Sequence, residues 1–306
     1  MKRGFCLTAL TLLGVVLAMT THDARQASER LMAKQVADNL YMLVPAPGHP
    51  PSGPVGNTAV FVMSTGVALV DTKVAGYGPD ILAQVRGLTD KPVTTIINSH
   101  THFDHTGSNT EFPDTVHFVA HENTRAQMAR ETCGMVTNCD AFKGENAKYL
   151  PGTIFSKRLS MFHGPDQIDL YYFGRGHTDG DTFTVFKSAR AMHSGDIFGG
   201  LWLPFVDVEN GNGSATEFGR SLAKAVVGIP DVDTIISGHG SEPLEWSAFE
   251  DYTDALNDLA GKAKQGLASG KTVEEVSSAF VIPEPFADFW TARSVTTMVQ
   301  HIYNGN

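Results

Sequence analysis

A cluster of histidine and aspartate residues directly follows an apolar stretch in the first half of the chain. The apolar stretch is Val93-Thr94-Thr95-Ile96-Ile97, and the cluster is His100-Thr101-His102-Phe103-Asp104-His105. The β-branched run predicts a buried strand, which would deliver the histidines at its tip. Imidazole and carboxylate groups are common ligands of zinc and similar divalent ions. The segment therefore predicts a metal site at the end of a strand.

The spacing within this cluster suits two neighbouring metal sites. His100 and His102 are two residues apart, so in extended chain their side chains point the same way. Asp104 and His105 face an adjacent position once the backbone turns. One segment can therefore supply ligands to two adjacent ions.

Further segments also place a histidine or an aspartate beside a short apolar run. They are Val67-Ala68-Leu69-Val70-Asp71, Gly176-His177-Thr178-Asp179-Gly180-Asp181, Ser194-Gly195-Asp196 and Ser237-Gly238-His239-Gly240. Taken in order with the His100 cluster, they resemble the motifs of the metallo-β-lactamase superfamily. The resemblance covers residues 38–245, which is most of the chain.

The resemblance implies a binuclear metal site. His100, His102 and His177 would bind one ion, Asp104, His105 and His239 would bind the second, and Asp196 would bridge them. We expect two Zn²⁺ ions per chain, with iron or manganese as alternatives. A hydroxide shared by the ions would be the nucleophile. Asp104 would also orient it, which makes Asp104 the candidate catalytic residue.

Aspartates outside this ligand set are expected to support it. Asp71 and Asp181 are candidates to accept a hydrogen bond from the free N–H of a metal-bound histidine. The alternative is a turn aspartate that accepts local backbone N–H groups, and we favour that interpretation for Asp179. His121 and His193 are expected to be structural histidines.

The family resemblance implies an α+β fold, a four-layer αββα sandwich. Within it, Tyr41 to Val44 is expected to be an edge strand and Thr234 to Ser237 the last strand. We expect a signal peptide at residues 1–18, a loose lead-in at residues 19–37, and a single domain at residues 38–306 that ends in helices.

The N-terminus has the pattern of a secretory signal. Lys2 and Arg3 precede an apolar stretch, residues 5–18, that is too short for a comfortable membrane span. Cleavage is expected after Ala18, or as late as Ala24, and an uncleaved anchor is the alternative. The mature protein would be periplasmic or secreted, with no stable membrane span.

Two cysteines remain after the expected cleavage, Cys133 and Cys139. In an exported protein such a pair predicts a disulfide, which would close a small loop. Metal binding by the pair is disfavoured because histidine and aspartate already fill two sites. A free pair remains the alternative for a protein that stays inside the cell.

The composition restricts the partners. The 306 residues carry a net charge of −10 without any run of lysine or arginine, which argues against nucleic-acid binding. We expect a small-molecule substrate, and the sequence does not determine the oligomeric state. Trp202 and Phe205 lie in an apolar segment shortly after Asp196, where they either line a substrate pocket or pack beneath the site.

The reaction class follows from the resemblance rather than from the residues alone. Gly199 stands where a common β-lactamase subclass has a substrate-gripping lysine. We predict a binuclear zinc-dependent hydrolase that cleaves an acyl bond in a β-lactam, lactone, thioester or other ester. The alternative is an iron-dependent sulfur (persulfide) dioxygenase, because similar ligand sets occur in both.

Overall fold

The computed structural model of the protein describes residues 29–49 and 55–306. The expected signal peptide at residues 1–18, and its extension to residue 24, lie outside the described residues. Within those residues no helix is both long enough and apolar enough to span a membrane.

The first sheet has seven strands in the order β1-β2-β3-β4-β5-β6-β7. The strands are β1 Leu31–Ala37, β2 Leu40–Pro45, β3 Thr58–Val62, β4 Val67–Val70, β5 Val93–Asn98, β6 His117–His121 and β7 Thr153–Phe155. Strands β1 to β4 pair antiparallel, and β4 to β7 pair parallel. Parallel neighbours need a crossover connection, so a helix links β4 to β5.

The second sheet has six strands in the order β13-β12-β11-β10-β9-β8. The strands are β8 Arg158–Met161, β9 Ile168–Tyr171, β10 Phe183–Phe186, β11 Ala191–His193, β12 Thr234–Ile236 and β13 Leu244–Glu245. All pairs are antiparallel except β11 with β12, which is parallel.

Helices cover the outer faces of both sheets. They are α1 Gly78–Leu88, α2 Phe103–Thr106, α3 Glu122–Met128, α4 Ala215–Gly228, α5 Trp246–Ala268, α6 Val273–Ala279 and α7 Ala292–Tyr303. One apolar cluster lies between the two sheets, where the rings of Phe61 and Phe186 are 5.0 Å apart. Two further clusters fill the space between each sheet and its helices. The predicted α+β, four-layer αββα arrangement is confirmed.

The central strands are buried on both faces, and this explains why they could be recognised in the sequence as apolar runs. All four residues of β4 are buried, and so are all four of β10. A strand covered by a helix layer on one side and a second sheet on the other must be apolar throughout. Runs such as Val67 to Val70 therefore mark the middle of the sandwich.

The edges of the sheets differ from the expectation. Strand β1 lies within residues 19–37, which we expected to be a loose lead-in, and its pairing makes β2 an interior strand. Only Leu31 of β1 is fully buried, so the segment carries little apolar signal, and Lys34 marks it as an edge. Strand β13 follows β12, so the expected last strand is not the last; its two residues are too few to show a pattern.

The topology brings the motifs to one edge of the sandwich. Asp71 directly follows β4, and the His100 cluster follows β5, its parallel neighbour. Asp196 follows β11 and His239 follows β12, which are also parallel. Because parallel strands end at the same edge, these side chains are delivered to a common region.

Candidate metal centre

Three histidines converge on one point in the loop region beyond the strands. His177 Nε2 lies 3.2 Å from His100 Nε2 and 2.9 Å from His102 Nδ1. All three side chains are buried. Their nitrogen atoms are close enough to share a single cation. This is the set expected to bind the first ion.

A second group lies beside the first. His239 Nε2 is 3.2 Å from Asp104 Oδ2, and His105 Nε2 is 3.6 Å from the same oxygen. The three residues can again share one cation. Asp104 and His105 are adjacent residues of α2, a single helical turn in which both side chains are buried.

Asp196 lies between the two groups. Its Oδ1 is 3.2 Å from His105 Nε2, whereas its Oδ2 is 3.2 Å from His239 Nε2 and 3.7 Å from His177 Nε2. The carboxylate therefore reaches ligand atoms of both groups. All seven residues predicted as ligands are brought together at one site.

Two buried atoms of the site indicate that it is built for cations. His105 Nε2 and Asp196 Oδ1 are buried 3.2 Å from each other, yet neither makes a hydrogen bond of good geometry among the described residues. A buried polar atom without a partner is costly, and it usually marks a bound ion or water. Nitrogen and carboxylate donors in groups of three suit divalent metals, so the residues fit the implied group.

The electrostatics favour the metal-binding protonation states for His177 and the two aspartates, whereas the carboxylate of Asp196 outweighs burial and raises the pKa of His239 to about 9 and that of His105 well above its usual range. Burial, together with neighbouring His102, lowers the pKa of His177 to about 4, which keeps its imidazole neutral. Burial alone would raise the pKa of Asp196, but His239 and His105 hold it well below its usual range. For Asp104, burial is likewise outweighed, chiefly by His105, and the pKa is lowered. Neutral imidazoles and ionised carboxylates are the metal-binding forms.

Asp71 holds two of the histidines. Its Oδ2 accepts a hydrogen bond from His105 Nδ1 at 2.7 Å and one from Ser99 Oγ at 2.6 Å. Ser99 Oγ lies 3.0 Å from His100 Nδ1, so it accepts from that nitrogen. Both imidazoles are thereby fixed with Nε2 free for a metal. This is the supporting position expected for Asp71.

Asp207 is a supporting residue that the sequence did not reveal. Its Oδ2 is 2.9 Å from His102 Nε2, which leaves His102 Nδ1 free. His177 Nδ1 donates to the carbonyl oxygen of Phe205 at 2.7 Å. Both partners lie in the long connection between β11 and α4, with no strand before them to signal their place.

Asp181 and Asp179 do not have the expected contacts. Asp181 accepts hydrogen bonds from the backbone N–H of Thr178 at 3.0 Å and from Thr178 Oγ1 at 2.5 Å, so it shapes the turn after His177 rather than supporting a histidine. The N–H at His177 Nδ1 already donates its hydrogen bond to the carbonyl oxygen of Phe205. Asp179 accepts from the side chains of Gln127 and Asn212 instead of capping local backbone.

The two histidines expected to be structural have ordinary protein partners. His121 Nε2 lies 3.0 Å from the carbonyl oxygen of Ser156, and its Nδ1 accepts from the N–H of Asn123. His193 Nε2 lies 3.3 Å from the carbonyl oxygen of Asn57. None of these atoms is turned towards the candidate ligands.

A buried lysine contacts the backbone beside the second ligand group. Lys73 Nζ donates to the carbonyl oxygens of Leu43 at 2.9 Å and Gly56 at 2.7 Å. Gly56 in turn donates to the carbonyl oxygen of Asp104, and a Cβ at Gly56 would lie 2.5 Å from His105 Cε1. Burial lowers the pKa of Lys73 to about 7, although nearby Asp71 opposes the shift.

A cavity of about 310 Å³ opens above the candidate ligands. Its apolar lining residues are Phe103, Val136, Trp202, Pro204 and Phe205. Trp202 is 40% exposed and Phe205 58% exposed, so both lie on the cavity wall rather than packing beneath the site. The ring of Phe205 is centred 6.0 Å from that of His177.

The loop that the two cysteines close contributes Val136 to the same wall. Cys133 and Cys139 are joined by a disulfide, with their Cα atoms 5.4 Å apart. Within the closed loop, the carbonyl oxygen of Val136 accepts a hydrogen bond from the N–H of Phe103 at 3.1 Å. The disulfide loop therefore contacts the segment that carries the first ligands.

Comparison with known proteins agrees with the geometry. The family model of the metallo-beta-lactamase superfamily matches residues 52–239, more than half of the chain, and the protein belongs to this superfamily. The resemblance inferred from the motifs is confirmed.

One curated relative matches part of the chain. The 2,4-dinitroanisole O-demethylase subunit alpha of Nocardioides sp. (strain JS1661) is 32% identical over 139 residues, which is 43% of this chain and 38% of that protein. The match thus spans less than half of the relative's length.

Solved structures share the fold. A metallo-beta-lactamase from Pontibacter korlensis matches with a TM-score of 0.59 and 16% identity, covering 74% of this chain and 99% of that one. The DIM-1 metallo-beta-lactamase matches with a TM-score of 0.57 and 17% identity, covering 75% and 98%. At these identities the likeness establishes the fold and not the substrate.

Proposed function

We propose that this protein is a binuclear zinc-dependent hydrolase that cleaves an acyl bond in an ester, lactone, thioester or β-lactam. The observation that carries the proposal is the position of Asp196, whose two oxygens each lie 3.2 Å from a histidine of the second group and whose Oδ2 also approaches His177. A carboxylate so placed can bridge two cations. His105 Nε2, which is buried and makes no hydrogen bond of good geometry among the described residues, supports the same assignment.

The residues have separate roles in this proposal. His100, His102 and His177 would hold one ion, and Asp104, His105 and His239 the other. When bound, such ions acidify water and polarise a carbonyl group. The pKa of Asp104 is lowered, chiefly by His105, and a carboxylate oxygen that binds no ion could accept a hydrogen bond from a water molecule and orient it.

The cavity supports an acyl substrate. Trp202 and Phe205 provide apolar surface beside the ligand groups, and apolar walls with a few convergent polar groups are typical of small-molecule sites. Such walls bind the acyl or leaving group and limit the access of bulk water. A small-molecule substrate therefore fits the cavity.

An iron-dependent sulfur dioxygenase is the alternative. His177 Nε2 lies 3.2 Å from His100 Nε2 and 3.7 Å from Asp196 Oδ2, so two histidines of the first group have a carboxylate nearby. This donor set is found in non-haem iron oxygenases. Iron in the purified protein, with oxygen uptake on addition of a persulfide, would favour this alternative.

The experiment that tests the proposal is an activity screen of the zinc-loaded protein with and without a chelator. The substrates are a chromogenic cephalosporin, an aryl ester, a lactone and a thioester, together with 2,4-dinitroanisole because of the named relative. We expect hydrolysis of an acyl substrate that is abolished by the chelator and restored by Zn²⁺. An absence of acyl hydrolysis with two Zn²⁺ bound contradicts the proposal.

Export of the protein is a further part of the proposal. It is supported by Lys2 and Arg3 ahead of the apolar residues 5–18, and by the pairing of Cys133 with Cys139. N-terminal sequencing of the periplasmic or secreted protein should give a first residue after Ala18, or after Ala24. A protein that retains Met1 in the cytoplasm contradicts export.

A further inference from the structure

The loop closed by the disulfide, residues 133–139, is here called the stapled loop. Val136 lines the cavity, and its carbonyl oxygen accepts a hydrogen bond from Phe103 N–H at 3.1 Å. The next residue, Thr137, pairs with His102 as an isolated antiparallel bridge. The stapled loop therefore lies directly against the segment that supplies the first ligands.

A second contact fixes the stapled loop from the other side. Gly134 packs so closely on Asn210 that a Cβ there would lie 1.6 Å from Asn210 Oδ1. The N–H of Asn210 donates to Asp207 Oδ1 at 3.0 Å. Asp207 Oδ2 in turn lies 2.9 Å from His102 Nε2. The stapled loop thus packs on the network that orients His102.

The tip of the stapled loop has little packing of its own. Met135 is 93% exposed, although it is a large apolar residue. A surface segment with few buried apolar contacts opens readily unless something else restrains it. The covalent link between Cys133 and Cys139 supplies that restraint by removing chain freedom. Val136 is held on the cavity wall as a result.

The other apolar wall is held by two residues from the C-terminal part of the chain. Trp290 Nε1 donates to the carbonyl oxygen of Leu201 at 3.0 Å, and Tyr252 Oη donates to that of Trp202 at 3.4 Å. These anchors hold the segment that exposes Trp202 and Phe205 to the cavity. Both walls are therefore apolar and both are held in place.

Apart from the histidines, the titratable residues that line the cavity are all acidic. Asp104 and Asp196 line it, and among the described residues neither lysine nor arginine does. Bound ions would neutralise Asp104 and Asp196, but away from the ions a substrate carboxylate would find no lysine or arginine on these walls. Uncharged apolar groups match the walls better.

We propose that the stapled loop is a specificity element, in which Val136 acts with Trp202 and Phe205 to select acyl substrates that carry an uncharged apolar chain. The inference rests on the proposed acyl-bond hydrolysis and narrows its substrate class. It assigns to the disulfide the role of positioning Val136.

The test is a chain-length series of p-nitrophenyl esters from acetate to hexanoate, with the zinc-loaded protein. Each added methylene that is buried should raise kcat/KM by up to about fourfold. The half-ester of glutarate, which ends in a carboxylate, should react at least about tenfold more slowly than the pentanoate ester. A flat series for the wild type, or equal rates for the two matched esters, would overturn the inference.

Variants assign this preference to the stapled loop. Val136→Ala and the Cys133→Ser/Cys139→Ser double variant should both flatten the chain-length dependence. Val227→Ala is the matched control, because Val227 is 89% exposed on α4 and does not line the cavity. An unchanged dependence in Val136→Ala contradicts the inference even if the double variant fails to fold.

Binding without reaction separates the inference from the proposed function. Straight-chain 2-alkanones, from butanone to nonanone, have no cleavable acyl bond, and calorimetry measures their binding. Affinity that rises with chain length in the wild type but not in Val136→Ala supports the stapled loop, whether or not esters are cleaved. Ester hydrolysis with no chain-length dependence in either assay supports the proposed function and refutes the inference.

Discussion

His105 Nδ1 donates a hydrogen bond to Asp71 Oδ2 at 2.7 Å, and this contact turns His105 Nε2 towards Asp196. Asp71 can do this because it adopts a left-handed backbone conformation, φ +63°, directly after β4. Aspartate tolerates that conformation better than most residues do. Both side chains are buried, so the contact is shielded from water.

Replacement of Asp71 should weaken metal binding without removing a ligand. Asp71→Ala leaves the Nδ1–H of His105 and the hydroxyl of Ser99 without their acceptor. Loss of such a partner typically lowers metal affinity by about 10- to 100-fold. Competition with a chromophoric chelator measures the change. Asp254→Ala, at an exposed position on α5, is the matched control, and equal affinities in the two variants would contradict the role of Asp71.

Asp207 should act on the other ion. Asp207→Ala removes the partner of His102 Nε2 and should weaken the first site by a similar factor of about 10 to 100, with less effect on the second. Titration with Co²⁺, followed by absorption, distinguishes the two sites. Weakening confined to the second site would refute this assignment.

Asp196 should control the number of ions bound. Asp196→Ala removes the group that reaches both histidine sets, so we expect the metal content to fall from two ions towards one per chain. Elemental analysis after dialysis measures it. Retention of two tightly held ions in this variant would show that Asp196 does not bridge.

Lys73 should make stability dependent on pH. Its pKa is about 7 in the folded protein, below the usual 10.5, so between these values the unfolded chain binds more protons. The free energy of unfolding contributed by Lys73 therefore rises with pH across this window, by at most about 1.4 kcal/mol per unit. This contribution of Lys73 to the free energy of unfolding is fully lost once the pH has fallen through its folded-state pKa of about 7.

The matched experiment compares wild type with Lys73→Met by urea denaturation at pH 7 and pH 9.5. Titrating groups that do not interact with Lys73 cancel in the difference. The advantage of the wild type should grow at the higher pH, and a constant or shrinking difference would contradict a depressed pKa.

The cysteine pair gives a direct chemical test. A protein that begins after Ala18 lacks Cys6, so denaturation should expose no free thiol if Cys133 and Cys139 are bonded. Reduction should then expose two. Two titratable thiols before reduction would show that the pair is free.

The sequence predicted which residues converge at the candidate metal centre, and there is a physical reason for this. Each is a metal-binding residue type beside a short apolar run, as for His100 after β5 and Asp196 after β11, and parallel pairing brings such ends together. The local pattern therefore carried the tertiary arrangement. The division of these residues between two ions came from the family resemblance.

The supporting residues were not predictable in the same way. Asp207 lies 105 positions from His102, in a connection without periodicity. Lys73 resembles an ordinary surface lysine, and its burial depends on the carbonyl groups of Leu43 and Gly56. Asp181 was misassigned because a turn aspartate and a histidine partner look alike in sequence. Such contacts are set by packing and leave no local pattern.

The candidate ligands are divided between the two sheets. His100, His102, Asp104 and His105 follow a strand of the first sheet, whereas His177, Asp196 and His239 belong to connections of the second. An ion shared by both sets links the halves, so its binding free energy also opposes their separation. Scarcity of the metal would then reduce the lifetime of the protein as well as its turnover.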